Sequence, residues 1–373
     1  LPTVGLTANL NNTNFDRLTP PLGTFSAQSA ALTLNASHPL YRPANSASYQ
    51  QGMRQLSLAS IQLKAAEQDL MVRLSQAYFD VLISRESLDF VKAQKMAVAE
   101  QLAAAKRNFE VGTSTITDSR EAQARFDLVL SQEIAADNDL RIKRMALNQL
   151  VGSNNIEPKS LSSKAKLTAP ESSAIDQWVR QSSEFNPVIL QNRAALDIAK
   201  LETTKAEAGH KPTLDLVAGF TPTRYKNGTV INTAQVDTNA SSISLSFNMP
   251  LFAGYATQNR IKETLALEDK ARSDLDAAER NVAQATRTAF FGLLSGIGQV
   301  NALQAAEASS QSALDANKLG YQVGVRINID VLNSQSQLFQ TKRDLAKARY
   351  EVLLGQLKLR QAAGVLTDTD LAS

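Results

Sequence analysis

The chain contains the same sequence pattern twice. Residues 77–152 align without a gap with residues 289–364, at a constant offset of 212. Within this stretch Phe109-Glu110-Val111-Gly112 recurs as Tyr321-Gln322-Val323-Gly324. Solenoid and propeller units are only ~20–50 residues long, so each copy is half of a protein rather than one unit of an array. The sequence therefore predicts one architecture built twice within a single chain.

Composition excludes several classes of function. The 373 residues carry a net charge of +3 with acidic and basic residues interspersed, so there is no basic stripe of the kind that binds nucleic acid. Cysteine is absent, which excludes disulfides, thiolate metal sites and a cysteine nucleophile. His38 and His210 have no third ligand beside them, and no Ser/His/Asp set or phosphate-binding glycine loop stands out. We therefore expect no enzymatic activity, no metal site and no cofactor.

Four segments alternate between apolar and polar residues with period two, as half-buried β-strands do. They are residues 4–10, 30–36, 214–220 and 243–251. Polar loops, Asn11–Ser29 and Thr221–Ser241, separate the members of each pair, and the polar face of the fourth segment carries Ser242, Ser244 and Ser246. Each segment is close to the ~9–11 residues with which a tilted strand crosses a bilayer. An ordinary antiparallel sheet with one hydrated face fits the same pattern.

Long helical segments follow each strand pair. Ser46–Asn108 and Ala256–Leu319 contain no proline, and each precedes a shorter helical segment, Ile116–Val151 or Ile327–Ala363. In the last segment apolar residues recur every seven positions, which indicates coiled-coil packing. The repeating residues are Val331, Leu338, Leu345, Val352 and Leu359.

Short segments connect these elements. Gly112 and Gly324 lie in tight turns that join each long helix to its shorter partner, since glycine adopts positive φ at little cost. The sequence therefore predicts two antiparallel helical hairpins. Pro39 and Pro250 are expected where strand gives way to helix, because proline cannot donate to a strand ladder. Between the copies we expect an irregular connector and two helices, over Ser153–Ser173, Ser173–Glu184 and Pro187–Gly209.

The number of strands has a consequence for assembly. A barrel of ~8 strands is about the smallest that closes around side chains, so the four strands of one chain cannot close alone. An open edge in a membrane would leave backbone groups unpaired at several kcal/mol each. If the strands cross a bilayer, several chains must therefore share one barrel.

Several motifs carry a resemblance to a known family. The strongest is residues 320–333, GYQVGVRINIDVLN, supported by residues 340–350, by Phe109–Gly112 and by residues 211–216. These residues resemble the TolC-like outer-membrane channel proteins of efflux pumps and type I secretion systems. The resemblance implies a mixed α and β membrane protein: a homotrimer in the Gram-negative outer membrane, with a twelve-stranded β-barrel and an α-barrel of helical hairpins that extends into the periplasm. It also implies a periplasmic adaptor (membrane fusion) protein and an inner-membrane ABC or RND-type transporter as partners.

The same resemblance divides the chain into regions. Residues 2–40 and 212–252 would form barrel strands and loops in contact with outer-membrane lipid. Residues 44–151, 187–211 and 253–364 would form the α-barrel, and residues 152–186 and 365–373 an equatorial collar. The family's first helix would lie upstream of Leu1. The implied function is an exit duct for efflux or type I secretion, and the alternative is a soluble coiled-coil periplasmic scaffold or adaptor protein.

The resemblance also implies a gate at the periplasmic ends of the hairpins. By position, Tyr321 and Arg326 would reach toward Thr117 and Asp118 of the other hairpin, and breaking these links would let the second hairpin swing outward. Charge-assisted hydrogen bonds suit a gate because they are strong yet separable. Arg107 stands where better-known members carry an uncharged polar residue, so a different bond is expected there. Because helix starts after glycine turns favour capping residues and first-turn acids, a local role for Thr117, Asp118 and Asp330 is the alternative.

Two further roles come from the resemblance. Asp330, repeated three times in a trimer, would form an acidic ring at the pore constriction that favours cations. The family often carries a second Asp one turn further on, where this chain has Asn333, so we expect three carboxylates rather than six. The turns Val111-Gly112-Thr113 and Val323-Gly324-Val325 would be the docking points of the adaptor protein.

Overall fold

The computed structural model describes residues 1–16, 24–153, 156–159, 174–226 and 235–372. The strands are β1 (Thr3–Asp16), β2 (Thr24–Tyr41), β3 (Thr213–Tyr225) and β4 (Val236–Asn248). The helices are α1 (Pro43–Glu110), α2 (Ile116–Val151), α3 (Ile175–Phe185), α4 (Pro187–Glu207), α5 (Ala256–Gln322), α6 (Asn328–Ala362) and α7 (Thr369–Ala372), with a 3₁₀ turn over Ala208–His210. The order β-β-α-α occurs twice, which confirms the predicted duplication. We call α1–α2 hairpin 1 and α5–α6 hairpin 2.

The four strands form one antiparallel sheet in the order β1-β2-β3-β4. Its register aligns the apolar rows that the period-two pattern predicts: Leu6 pairs with Leu34, which pairs with Phe220. All three side chains are exposed in the single chain. The sheet therefore presents one continuous apolar face that the chain itself does not cover.

The strands are longer than the segments in which apolar and polar residues alternate. β1 and β2 pair as far as Asp16 and Thr24, so the predicted loops begin too early, at Asn11 and Thr221. Backbone pairing does not require apolar side chains, and the alternating pattern marks only the apolar part of each strand. The remaining loop residues, 17–23 and 227–234, and most of the predicted connector Ser153–Ser173 lie outside the described residues.

The two prolines behave differently from each other. Pro250 comes two residues after the end of β4, between the strand and α5, as predicted. Pro39 instead lies inside β2, where the register with β3 shifts between Pro39 and Tyr41. A bulge accommodates a residue that cannot donate to the ladder, so Pro39 lies within the last three residues of β2, just before the strand gives way to α1.

The chain divides into two compact units, Leu1–Leu58 with Arg193–Asp274, and Ala59–Asn192 with Leu275–Ser373. In the first, Glu202 of α4 accepts hydrogen bonds from Arg260 of α5 at 2.7 Å and from Gln51 of α1 at 3.0 Å. These donors, Arg260 first, lower the pKa of Glu202. One carboxylate thus links three helices of this unit.

The core of the second unit lies between the helices of each hairpin and between the hairpins. All five predicted heptad residues of α6 are at most 3 % exposed, which confirms the coiled-coil packing. Leu345, Val352 and Leu359 pack with Phe290 and Val300 of α5. Leu332 of α6 instead joins a cluster with α1 and α2, so hairpin 2 also packs on hairpin 1. No helix in the part of the chain that the structure describes is both long and apolar enough to cross a membrane.

Candidate functional site: the hairpin ends and the seam between the hairpins

Hairpin 1 reverses direction at Gly112. The N–H of Thr113 donates to the carbonyl of Asn108 at 2.8 Å, and that of Gly112 to the carbonyl of Phe109 at 3.0 Å. This pair of bonds closes a helix that ends in a left-handed residue. Gly112 provides that residue with a φ of 79°.

Hairpin 2 makes the same turn with its own residues. The N–H of Val325 donates to the carbonyl of Gly320 at 2.9 Å, and that of Gly324 to the carbonyl of Tyr321 at 3.2 Å. Gly324 has a φ of 81°. The two predicted glycine turns are therefore present and equivalent in their backbones.

Apolar side chains project from both turns. Val111, Val323 and Val325 are 72 %, 65 % and 75 % exposed. No described atom lies within 4 Å of a Cβ built on Gly112 or Gly324, so the backbone there is open to an approaching partner. Both hairpin ends therefore present exposed apolar side chains beside accessible backbone.

Asp118 is held within its own hairpin. Its carboxylate accepts from the Ser114 hydroxyl at 2.6 Å and from the backbone N–H of Thr115 at 3.1 Å, while the Thr115 hydroxyl accepts the N–H of Asp118. This is a capping box at the start of α2. The Ser114 bond, followed by those from Thr115, lowers the pKa of Asp118. Within one chain Asp118 therefore has the local role that the sequence left open, and Thr117 lies exposed beside it.

Hairpin 2 starts its second helix differently. Ile327 precedes α6 and provides no side-chain cap. Asp330 lies in the first turn of α6, and its carboxylate is 3.8 Å from the Arg326 guanidinium. The structure thus brings two predicted gate residues together, Arg326 in the turn and Asp330 at the start of α6. Arg107 is exposed in the last turn of α1.

Tyr321 links the two hairpins. Its hydroxyl oxygen accepts a hydrogen bond from Asn108 Nδ2 at 3.2 Å, which joins the ends of α5 and α1. The predicted partners of Tyr321, Thr117 and Asp118, do not contribute this bond in the single chain. Asn108 was missed by the sequence reasoning, and its contact with Tyr321 makes it part of the candidate gate.

Polar bonds continue along the interface between hairpin 1 and hairpin 2, which we call the seam. Gln101 of α1 donates to Asn328 of α6, and Gln94 donates to Ser336 at 3.5 Å. Farther from the turns, the Tyr350 hydroxyl donates to Glu86 at 2.5 Å, and burial, followed by Glu86, raises the pKa of Tyr350. Hydrogen bonds that can be broken individually therefore stabilise the seam, in addition to apolar packing.

Arg125 adds a link from α2. Its Nη2 donates to Asn333 Oδ1 at 2.8 Å, so the position where the family often has an Asp carries an amide that faces hairpin 1 here. The sequence offered one usable signal for the seam: Gln94, Gln101 and Asn108 recur every seven residues on α1. A regular stripe of carboxamides on a long helix indicates an interface that is polar but uncharged.

Comparison with known proteins identifies the family. The sequence profile described as "Outer membrane efflux protein" matches residues 1–153 and 178–365, most of the chain. The chain belongs to the outer membrane efflux protein family. It is 32 % identical to the outer membrane protein TolC of Vibrio cholerae over 371 residues, which is 100 % of this chain and 84 % of that protein. It is 34 % identical to TolC of Escherichia coli, over 82 % of this chain and 63 % of that protein.

The chain is also similar to a secretion protein in sequence and to solved outer membrane channels in fold. The proteases secretion protein PrtF of Dickeya chrysanthemi is 30 % identical over 91 % of this chain and 73 % of its own length. The outer membrane protein VceC of Vibrio cholerae superposes with a TM-score of 0.81 at 18 % identity, over 98 % of this chain and 87 % of that one. The open state of the Neisseria gonorrhoeae MtrE outer membrane channel gives 0.77 at 18 % identity, over 99 % and 82 %. These likenesses confirm the predicted channel fold.

Family membership decides between the two predicted functions. An outer membrane efflux protein is an exit duct in the outer membrane of a Gram-negative bacterium, as predicted. The alternative, a soluble periplasmic scaffold or adaptor, is not favoured. The relatives are channel and secretion proteins rather than enzymes.

Proposed function

We propose that this chain forms a homotrimeric duct whose periplasmic end is closed by its helical hairpins and opened by an inner-membrane transporter acting through a periplasmic adaptor. Residues 2–40 and 212–252 would contribute the β-barrel, and the hairpins with residues 187–211 the α-barrel. Residues 152–186 and 365–373 would form the collar. TolC and PrtF as relatives support both efflux and protein secretion as uses of such a duct, with an ABC or RND-type transporter providing the energy.

The main support for a gate at the hairpin ends is the hydrogen bond between Asn108 and Tyr321. It joins the two hairpins where they end, so hairpin 2 cannot move away from hairpin 1 without breaking it. In the closed trimer Arg326 would add bonds to Thr117 and Asp118 of the other hairpin, and Arg107 would make a bond different from the one made at this position in better-known members. Because each bond contributes only about 0.5–3 kcal/mol, contacts with a partner can replace them and open the duct.

The pore constriction and the docking surface occupy the same end of the hairpins. Asp330, three times in the trimer, would form an acidic ring that favours cations, and Asn333 one turn further on adds no charge. The exposed turns Val111-Gly112-Thr113 and Val323-Gly324-Val325 would receive the adaptor. Docking there would act directly on the residues that hold the gate.

Ion conductance of the trimer in planar bilayers tests the gate. Tyr321→Phe removes only the hydroxyl that Asn108 bonds, and we expect it to raise the mean conductance above that of the unsubstituted trimer. Asn108→Ala should do the same, and the double variant should open the pore no more than either alone, because both remove one bond. Tyr49→Phe, at an exposed tyrosine elsewhere on α1, is the matched control.

Transport by the whole system provides the second test. In a bacterium that lacks its own outer-membrane duct, the unsubstituted chain should restore resistance to effluxed drugs or secretion of a type I substrate. Closed conductance that Tyr321→Phe, Asn108→Ala and Arg326→Ser all leave unchanged would contradict the gate. Failure of transport with every adaptor and transporter pair supplied would contradict the duct.

A further inference from the structure

A cavity lies within the seam, farther from the turns than the Gln101–Asn328 bond. Its volume is about 230 Å³. Hairpin 1 contributes the α1 wall and the α2 wall, and hairpin 2 contributes the α6 wall. The polar residues that line it are Gln94, Arg125, Gln132, Ser336, Gln340 and Arg343. We call it the seam cavity.

The seam cavity is rich in hydrogen-bond donors. It combines two guanidinium groups with three carboxamides and a hydroxyl, and no acidic side chain is among the described residues that line it. Arg125 donates from Nη2 to Asn333. The carboxylate of Asp344 lies 3.9 Å from Arg343 Nε, and Asp344 also accepts from Gln340 at 3.3 Å. The charge inside the cavity is therefore positive and only partly balanced.

This chemistry suits a small anion. The fork of N–H donors on a guanidinium matches the two oxygens of a carboxylate or phosphate group, and amides can donate to the remaining oxygens. At ~30 Å³ per water the cavity has room for about seven or eight waters, so an organic acid with several carboxylates fits. Phe90 and Phe339 add apolar surface to the lining, and the side chain of Arg343 is 42 % exposed, so an anion can reach its guanidinium from solvent.

We propose that the seam cavity binds a small anion with two or more carboxylate or phosphate groups, and that this anion stabilises the closed duct. Both hairpins form the cavity, with Arg125 on hairpin 1 and Arg343 on hairpin 2. A ligand held by both binds best while the hairpins lie together, so its binding energy favours the closed state. The effect of the anion on opening of the duct rests on the proposed gate, whereas binding of the anion to the seam cavity does not.

Calorimetric titration of the full-length trimer, in detergent and at constant ionic strength, tests the binding. Citrate and pyrophosphate are the two probes, and they distinguish a polycarboxylate from a ligand with two phosphate groups. We expect at least one to bind, and Arg343→Gln to weaken it about tenfold or more, as loss of a charge-assisted bond does. Arg343→Lys should restore part of the affinity, because it keeps the charge without the fork.

Arg141→Gln is the matched control, since Arg141 lies on α2 outside the cavity with a side chain that is 73 % exposed. Equal affinity in Arg343→Gln and Arg141→Gln, or no binding of either probe, would overturn the site. In bilayers the bound probe should lower the opening of Tyr321→Phe trimers but not of Tyr321→Phe/Arg343→Gln trimers. Binding without that difference would overturn the stabilising role while leaving the exit duct itself untouched.

Discussion

The side chain of Arg326 lies across Gly320: a Cβ at position 320 would stand 2.6 Å from Arg326 Cγ. In hairpin 1 the equivalent position is Asn108, and the equivalent of Arg326 is Ser114. Hairpin 2 therefore has no side chain at position 320, and it has a long, positively charged side chain at position 326. The two changes fit each other, because only a glycine leaves room for Arg326 to fold against the end of α5.

Gly320→Ala should consequently displace Arg326 from Asp330. Alanine favours the helix itself by up to about 1 kcal/mol, so the trimer should not lose thermal stability, yet its conductance in bilayers should rise toward that of Arg326→Ser. Gly298→Ala is the matched control, because Gly298 lies in the same helix and no described atom would lie within 4 Å of its Cβ. If both alanine variants conduct like the unsubstituted trimer, the packing of Arg326 on Gly320 does not contribute to closure.

Much of the architecture could be predicted from local sequence signals. The bounds predicted for α2, Ile116–Val151, are those observed, because Thr115 caps its start and Gly152 ends it with a left-handed residue. The heptads of α6 likewise identified its buried face. The strand ends were missed at Asn11 and Thr221, where pairing continues through polar residues that carry no alternating pattern.

The candidate site was less predictable. The turns at Gly112 and Gly324 follow from local backbone preference, and so does the cap at Asp118. The bond between Asn108 and Tyr321 depends instead on which faces of two separate hairpins meet, which no local signal specifies. Asn108, Gln101 and Gln94 recur at heptad spacing, but the spacing alone does not say which partners they bond.

The capping box at Asp118 should make the turn of hairpin 1 sensitive to acid. The folded pKa of Asp118 lies below the ordinary value of 3.8, so its contribution is present above that value and is lost as the pH falls through the lowered pKa. Hydrogen exchange, corrected for intrinsic rates between roughly pH 6 and pH 2, should show residues 111–118 losing protection at the acid end. Thr115→Ala should remove part of this dependence and cost about 1 kcal/mol.

The turn of hairpin 2 provides the internal reference, because Ile327 has no side-chain cap. Residues 323–330 should change less over the same range. A loss of protection that is equal in both turns, or that Thr115→Ala leaves unaltered, would show that the Asp118 box does not stabilise the turn.

The duplication supplies a matched pair of glycines for the last prediction. Gly152 and Gly364 occupy equivalent positions and have φ values of 71° and 75°. Around Gly152 no described atom lies within 4 Å of where a Cβ would stand, whereas at Gly364 a Cβ would stand 2.3 Å from the carbonyl oxygen of Phe185. Asn186 fixes that backbone, since its Nδ2 donates to the carbonyl of Ala362 at 2.8 Å.

Gly152→Ala should therefore cost only the strain of a left-handed alanine, about 1–2 kcal/mol. Gly364→Ala should cost that strain and a further amount on the order of 1–3 kcal/mol, because backbone rather than a flexible side chain must move. Thermal unfolding of the trimer measures the difference, and hydrogen exchange of α3, which ends at Phe185, locates it. Equal losses in the two variants would mean that the Phe185–Asn186 backbone yields freely, and the contact with Gly364 would then contribute nothing to docking α3 on the end of α6.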